Sequence, residues 1–241
     1  MASQSEVTFG AKINNAQKIS THLKAFTGYV APTTNTSIVN YDALITAITT
    51  ENTSIATKKP AYSAAVETRQ KLFFKDKDCV VKLLSPVISA VRAKLGKGAK
   101  PVADITALVT KIRGEKKPKD QEPKAEDANA EKKDPVSQSE RSYGSMTQNY
   151  SDIVTALDNL GTDYAPANNA YKLTVLQTKL VSITAANIAA TNTYGALKTS
   201  IDNRSNQYTD LAERTQRIKE SVKSQYGVKS TEYNLIKGLK V

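Results

Sequence analysis

Apolar side chains recur at spacings of three and four residues along most of this chain. In the second half, Leu173, Leu176, Leu180, Ile183, Ala190, Leu197, Ile201, Tyr208, Leu211, Ile218 and Val222 keep one register. Asn187, Tyr194, Arg204, Thr215 and Gln225 fill its remaining positions. Ile38, Tyr41, Ile45, Ile48, Ile55, Tyr62, Val66 and Phe73 repeat the pattern in the first half. Such a period puts one stripe of an α-helix against a partner. The stretch 33–50 is rich in Thr and Ile, which favour sheets, but it lacks period-two alternation, so helix is the reading there too. The fold class expected is all-α, with Ile45, Ile48, Leu180, Ile183, Ile201, Ile218 and Val222 in the core.

Helix breakers divide each half in the same order. A first helix is predicted over 10–26 and 143–160, followed by a loop containing Ala31-Pro32 or Ala165-Pro166. Thr and Asn in these loops suit the cap of a second helix, predicted over 37–57 and 171–191. Pro60 fits the first turn of a third helix, where its missing N–H costs nothing, and its counterpart is Gly195. Gly96 and Gly227 read as C-terminal stops, with Pro86 able to kink or restart the third helix. Closing helices follow over 101–113 and 231–238. The phase continues across Gly195, so helices two and three of the second half can also be one long rod.

Side by side, the halves share more than a period. Ala-Pro, Asn35/Asn169, Asn52/Asn187, Arg69/Arg204 and the two glycine stops fall in one order, with gaps of one and four residues. Between them, 114–140 contains three prolines, six lysines and eight acids, no aromatic residue, and Val136 as its single branched aliphatic. That composition cannot bury enough apolar surface to offset the entropy of ordering it. The expected organisation is therefore a helical bundle over 1–113, a charged linker over 114–140, and a duplicated antiparallel bundle over 141–241.

Charge changes the functional picture. The chain of 241 residues carries 34 Lys and Arg against 23 Asp and Glu, a net +11, and the stretch 114–140 is itself net negative. A basic body attracts an acidic protein surface or a nucleic-acid backbone. Arg214, Arg217, Lys219 and Lys223 are the candidate contacts to an anionic partner, although Glu213 is spaced to pair with Arg217. No RNP sequence, zinc finger or helix-turn-helix phrase accompanies them. No run of about 18 consecutive apolar residues marks a membrane span, and the first residues lack the pattern of a secretory signal.

Catalytic chemistry finds little to work with. His22 is the single histidine and Cys79 the single cysteine, which leaves no ordinary zinc site and no internal disulfide. Lys75, Lys77 and Lys82 are near Cys79 in sequence, and cations lower a thiol pKa. A small residue at a helix boundary is the plainer reading of that position. The phrase at 96–100, Gly-Lys-Gly-Ala-Lys, has the composition of a phosphate loop without its spacing. The seam positions Asn52, Asn187, Arg69 and Arg204 suit register control by a buried polar group or an anion pocket inside a bundle.

The closing stretch, from Lys223-Ser224-Gln225-Tyr226-Gly227 to Lys237-Gly238-Leu239-Lys240-Val241, resembles the C-terminal phrase of uncharacterised helical proteins of Bacteroidetes. The resemblance covers roughly the last thirty residues. It implies a bacterial, cytoplasmic protein and assigns no activity. The sequence is thus read as a non-enzymatic helical scaffold or interaction module with a basic surface, engaging an acidic partner. The alternative is sequence-independent binding of nucleic-acid phosphates. A third reading is a small-molecule or enzymatic bundle with Arg69 and Arg204 as anion anchors. No cofactor and no metal are expected, and the apolar seams leave room for a homo-oligomer.

Overall fold

The computed structural model describes residues 8–114 and 142–241; all but Gly114 of the linker assigned to 114–140 lies outside them. The described residues form helices and no strand, in agreement with the all-α expectation. In order these are α1 (Phe9–Ala25), α2 (Ile38–Gln70), α3 (Val80–Leu95), α4 (Lys100–Arg113), α5 (Tyr143–Asn159), α6 (Leu173–Tyr226) and α7 (Thr231–Lys237). A π-helical turn, Lys71–Lys75, extends α2, and short 3-10 turns at Thr34–Thr36 and Asn169–Tyr171 precede the two long helices.

In the first half the expected break between helices two and three is absent, and in the second half the alternative of one long rod holds. Pro60 lies inside α2 and Gly195 inside the 54-residue α6. A proline forfeits one backbone hydrogen bond in a helix interior, but apolar residues recur at spacings of three and four on both sides of each site and the helix continues. The break comes later in the first half. The Asp76 N–H closes the π turn on the Lys71 carbonyl (3.0 Å), and α3 starts after Cys79. Pro86 sits within α3, which runs unbroken around it.

The glycine stops behave alike. Gly96 and Gly227 have φ of 82° and 96°, the left-handed region that ends helices, and donate to the Arg92 and Lys223 carbonyls. Three residues later, the N–H groups of Ala99 and Ser230 close the turn on the two glycine carbonyls. The loops before the long helices also match. Tyr29 donates from its hydroxyl to the Thr36 carbonyl (3.5 Å), and Tyr164 to the Tyr171 carbonyl (2.7 Å). Both bonds span seven residues, so the loops match with Tyr29 set against Tyr164 rather than against Asp163, as the sequence comparison had it.

Two compact units result, and they do not coincide with 1–113 and 141–241. The first comprises 1–62 and 193–241, the second 63–192. Each is assembled from both halves of the chain. In the first unit, Ala16, Ile19 and Leu23 of α1 and Tyr41, Ile45 and Ile48 of α2 pack with Tyr208, Leu211, Ile218 and Val222 of α6 and Ile236 of α7. In the second, Met146, Tyr150, Ile153 and Leu157 of α5 and Leu176 and Ile183 of α6 pack with Phe73, α3 and α4. The recipe is the same in both units. One half gives its first helix and the start of its long helix, and the other gives the segments that follow.

Most expected core residues are buried, with two departures. Leu180 is half-buried against the second unit's core, and Ile201 is 38% exposed. Ile201 is five turns from Ile183 and so in phase with the face that α6 buries in the second unit. In the first unit the buried face runs through Leu197, Ser200, Tyr208 and Leu211 instead, which leaves Ile201 off its edge. By length and composition alone α6 could cross a membrane, since its most apolar 18 residues have mean hydropathy 1.2 and 22% of them are buried. Leu176 and Ile183 give part of that apolarity an internal use.

Candidate functional site

The four basic residues expected to meet a partner do not form one open patch. Arg214 is held in a fork by Asp210, with Nε to Oδ1 at 2.8 Å and Nη2 to Oδ2 at 2.7 Å. Its Nη1 also donates to the Asn35 and Asn40 carbonyls, at 3.0 and 3.3 Å. It thus ties α6 to the 3-10 turn and the start of α2. Lys219 donates to the Lys237 and Leu239 carbonyls, at 3.3 and 2.5 Å, and so closes the end of α7. Burial holds its pKa below the usual lysine value. Arg217 pairs with Glu213 at 2.7 Å and Lys223 with Glu220 at 3.4 Å, both on the surface. Arg214 is therefore a structural clamp, and Arg217 and Lys223 are partly neutralised.

The polar seam residues resolve into two matched clusters, one in each unit. In the first, the Arg204 guanidinium lies 4.3 Å over the ring of Phe9, the first residue of α1. Tyr208 lies tilted against the same ring with centroids 4.7 Å apart and donates to the Phe9 carbonyl (2.9 Å). Asn52 donates to the Tyr208 hydroxyl at 3.2 Å. In the second, Arg69 lies 4.0 Å over the ring of Tyr143, the first residue of α5, and Phe73 meets that ring edge-on at 5.1 Å. Asn187 donates to the Tyr143 carbonyl (3.3 Å) and to Thr147 Oγ1 (2.8 Å).

Each cluster thus has an aromatic residue opening a helix, an arginine on its face, a second ring and an asparagine. Cation–π contact explains why arginine occupies these apolar stripes. The two arginines belong to different units, each set on the ring that opens a helix of its own unit. Two buried atoms at the second cluster, Arg69 Nε and Asn187 Oδ1, lack a hydrogen-bond partner.

The remaining sequence candidates are structural. His22 is half-buried and stacks on Phe26 with ring centroids 6.4 Å apart. Cys79 is fully buried at the start of α3. Lys82 donates to the Lys75 and Asp76 carbonyls instead of serving the thiol. The turn at Gly96 ends α3, and Lys100 pairs with Asp104 at 3.0 Å. Among the described residues no group of His, Cys, Asp and Glu is placed to hold a metal ion.

One cluster escaped the sequence reading. In the first unit a cleft of about 450 Å³ is lined by Lys12 of α1, by Thr215, Gln216 and Lys219 of α6, and by Lys240 and Val241 beyond α7. No acidic side chain lines it. Its lysines are separated by more than two hundred positions, so no local motif could announce them. A second cleft, of about 520 Å³, lies in the other unit between α3 and the Ala165-Pro166 loop. It is lined mainly by Pro, Ala and Tyr171, with Lys94 and Asp163 among its polar residues. No family model, curated protein or solved structure matches the chain.

Proposed function

We propose that the chain is a non-enzymatic helical interaction module that engages an acidic protein partner. The observation that carries this reading is a set of exposed lysines outside the ion pairs. Lys18, Lys59, Lys75, Lys77 and Lys97 are exposed and form no ion pair among the described residues. Unpaired surface charge of one sign steers an oppositely charged partner and sets its on-rate. Withdrawal of Arg214 and Lys219 into the fold removes half of the quartet that a phosphate-backbone footprint would use.

The matched clusters and loop geometry also support reading the chain as an internal duplication, with the C-terminal segments of the halves exchanged between units. In that reading Arg69 and Arg204 anchor helices rather than ligands. A bacterial, cytoplasmic setting, suggested by the C-terminal resemblance, belongs to the same proposal.

Fluorescence anisotropy with the full chain tests it, using an Asp/Glu-rich peptide and a duplex DNA of equal charge over a salt series. The expected result is tighter binding of the peptide, weakened by reversing Lys75, Lys77 and Lys97 together. Submicromolar, sequence-blind DNA binding at 150 mM salt would instead establish the nucleic-acid alternative. In that case affinity would fall with a log–log salt slope of about −0.9 for each phosphate neutralised.

A further inference from the structure

The cleft between α3 and the Ala165-Pro166 loop corresponds to a place in the first unit where a glutamine side chain is bound. There Gln225, two residues before the stop at Gly227, clamps the main chain of Val30 with its side-chain amide. The Val30 N–H donates to Gln225 Oε1 at 3.0 Å, and Gln225 Nε2 donates to the Val30 carbonyl at 2.5 Å. Nε2 also donates to Ser221 Oγ at 2.7 Å. Val30 itself follows Tyr29, whose hydroxyl closes the loop on Thr36.

In the second unit Tyr164 closes the matching loop, so Ala165 stands where Val30 does. Counting back from Gly96 puts Lys94 at the place of Gln225 and Ala90 at that of Ser221. Lys94, Ala90 and Ala165 line one cleft, yet no clamp forms. An ammonium carries donors only, so Lys94 cannot answer an N–H, and its Nζ lies 3.8 Å from Asp163 Oδ1. Ala165 is exposed, and its N–H and carbonyl make no hydrogen bond among the described residues. The two groups that an amide joins in one unit are therefore open in the other. They stand at a cleft of about 520 Å³ whose walls include Pro86, Ala93 and Tyr171. That volume is in the usual range for a ligand site and exceeds a single side chain, which leaves room for flanking peptide units.

We propose that this cleft binds a glutamine side chain presented by a peptide, its carboxamide set on Ala165 as Gln225 is set on Val30. The methylene stem lies along Pro86 and Ala93. A carboxamide supplies both the acceptor for the Ala165 N–H and the donor for its carbonyl, whereas a glutamate carboxylate supplies acceptors alone. The proposal rests on the loop correspondence that also supports the duplication. It does not use the basic surface, so an uncharged probe tests it apart from the acidic partner.

NMR titration of the isotope-labelled full chain tests this, read from its backbone amide resonances. The probes are the tripeptide acetyl-Ala-Gln-Ala N-methylamide, its Glu and Ala counterparts, and free glutamine. Saturable shifts centred on Ala165 are expected with the Gln peptide, at least tenfold weaker binding with the Glu peptide and free glutamine, and none with the Ala peptide. Lys94→Gln supplies the amide from α3 itself and should close the cleft, abolishing the shifts. Lys94→Ala removes the same ion pair without supplying an amide and should keep them. Both changes are made at a side chain 58% exposed, so the fold tolerates them. Equal binding by the two variants, or no saturable shift of the unsubstituted chain at millimolar peptide, would overturn the site. Equal affinity for the Glu peptide would overturn the carboxamide assignment, and tighter binding of free glutamine would overturn the peptide as its source.

Discussion

Arg214 and Arg217 stand three residues apart on α6 and read alike in the sequence, as cations with an acid four residues earlier. Their surroundings separate them. Arg214 spends its guanidinium on one carboxylate and two main-chain carbonyls, and its side chain is 18% exposed. Arg217 meets a single carboxylate at 56% exposure. Arg214→Ala should therefore destabilise the chain by about 1–3 kcal/mol, the range for lost hydrogen bonds to a charged group. Arg217→Ala should stay within about 0.5 kcal/mol. Urea unfolding of both variants checks the contrast.

Asn187 gives a subtler case at the same scale. Asn187→Leu removes two donated bonds, yet the Tyr143 carbonyl still accepts from Thr147 Oγ1 at 2.8 Å, and the unpartnered Oδ1 disappears with the amide. The expected change is within about 1 kcal/mol of zero, because apolar replacement of an incompletely satisfied polar group is close to neutral. A loss well above that in urea unfolding would show that the amide does more than hold the helix start.

At the scale of elements, the helices were legible because the 3,4 period runs through every long one and the glycine stops at Gly96 and Gly227 have local signatures. Their continuity was less legible. Pro60 and Gly195 are breakers by intrinsic preference, but side-chain packing on either side outweighs one missing hydrogen bond. The break at 76–79 carries no proline or glycine at all. The seam aromatics could not be assigned either, since the partners of Arg69 and Arg204 are the first residues of distant helices. The lysine cleft was invisible for the same reason, because its residues meet only after α1, α6 and α7 have packed.

The α6 face supplies a direct test at this scale. Ile183 is fully buried in the second unit and Ile201 is 38% exposed in the first, although a straight helix puts them in phase. Ile183→Ala should cost about 2–5 kcal/mol and leave a cavity. Ile201→Ala should cost less than about 1 kcal/mol. Equal losses in thermal or urea unfolding would mean that one continuous seam, rather than two faces, governs this helix.

For the whole molecule, the question is whether the two compact units fold independently. A tandem pair of bundles, each from its own half, would predict two separable transitions, since no core would depend on the other. The observed assembly argues otherwise through chain connectivity. Residues 38–62 of α2 serve the first unit and its last residues the second, while α6 gives 173–192 to the second and its remainder to the first. Melting either unit therefore frees one end of a helix whose other end is packed in the remaining unit, and helix ends fray at a cost the remaining core must absorb. Among the described residues, each core draws on both halves of the chain. A single cooperative unfolding transition is expected. The test is native-state hydrogen exchange on the full chain carrying Ile153→Ala, which weakens the second unit's core alone. Loss of protection should extend to amides around Ile19, Ile48 and Ile218 in the first unit. Unchanged protection there, with a separate early transition for the second unit, would show that the units are energetically independent despite their shared helices.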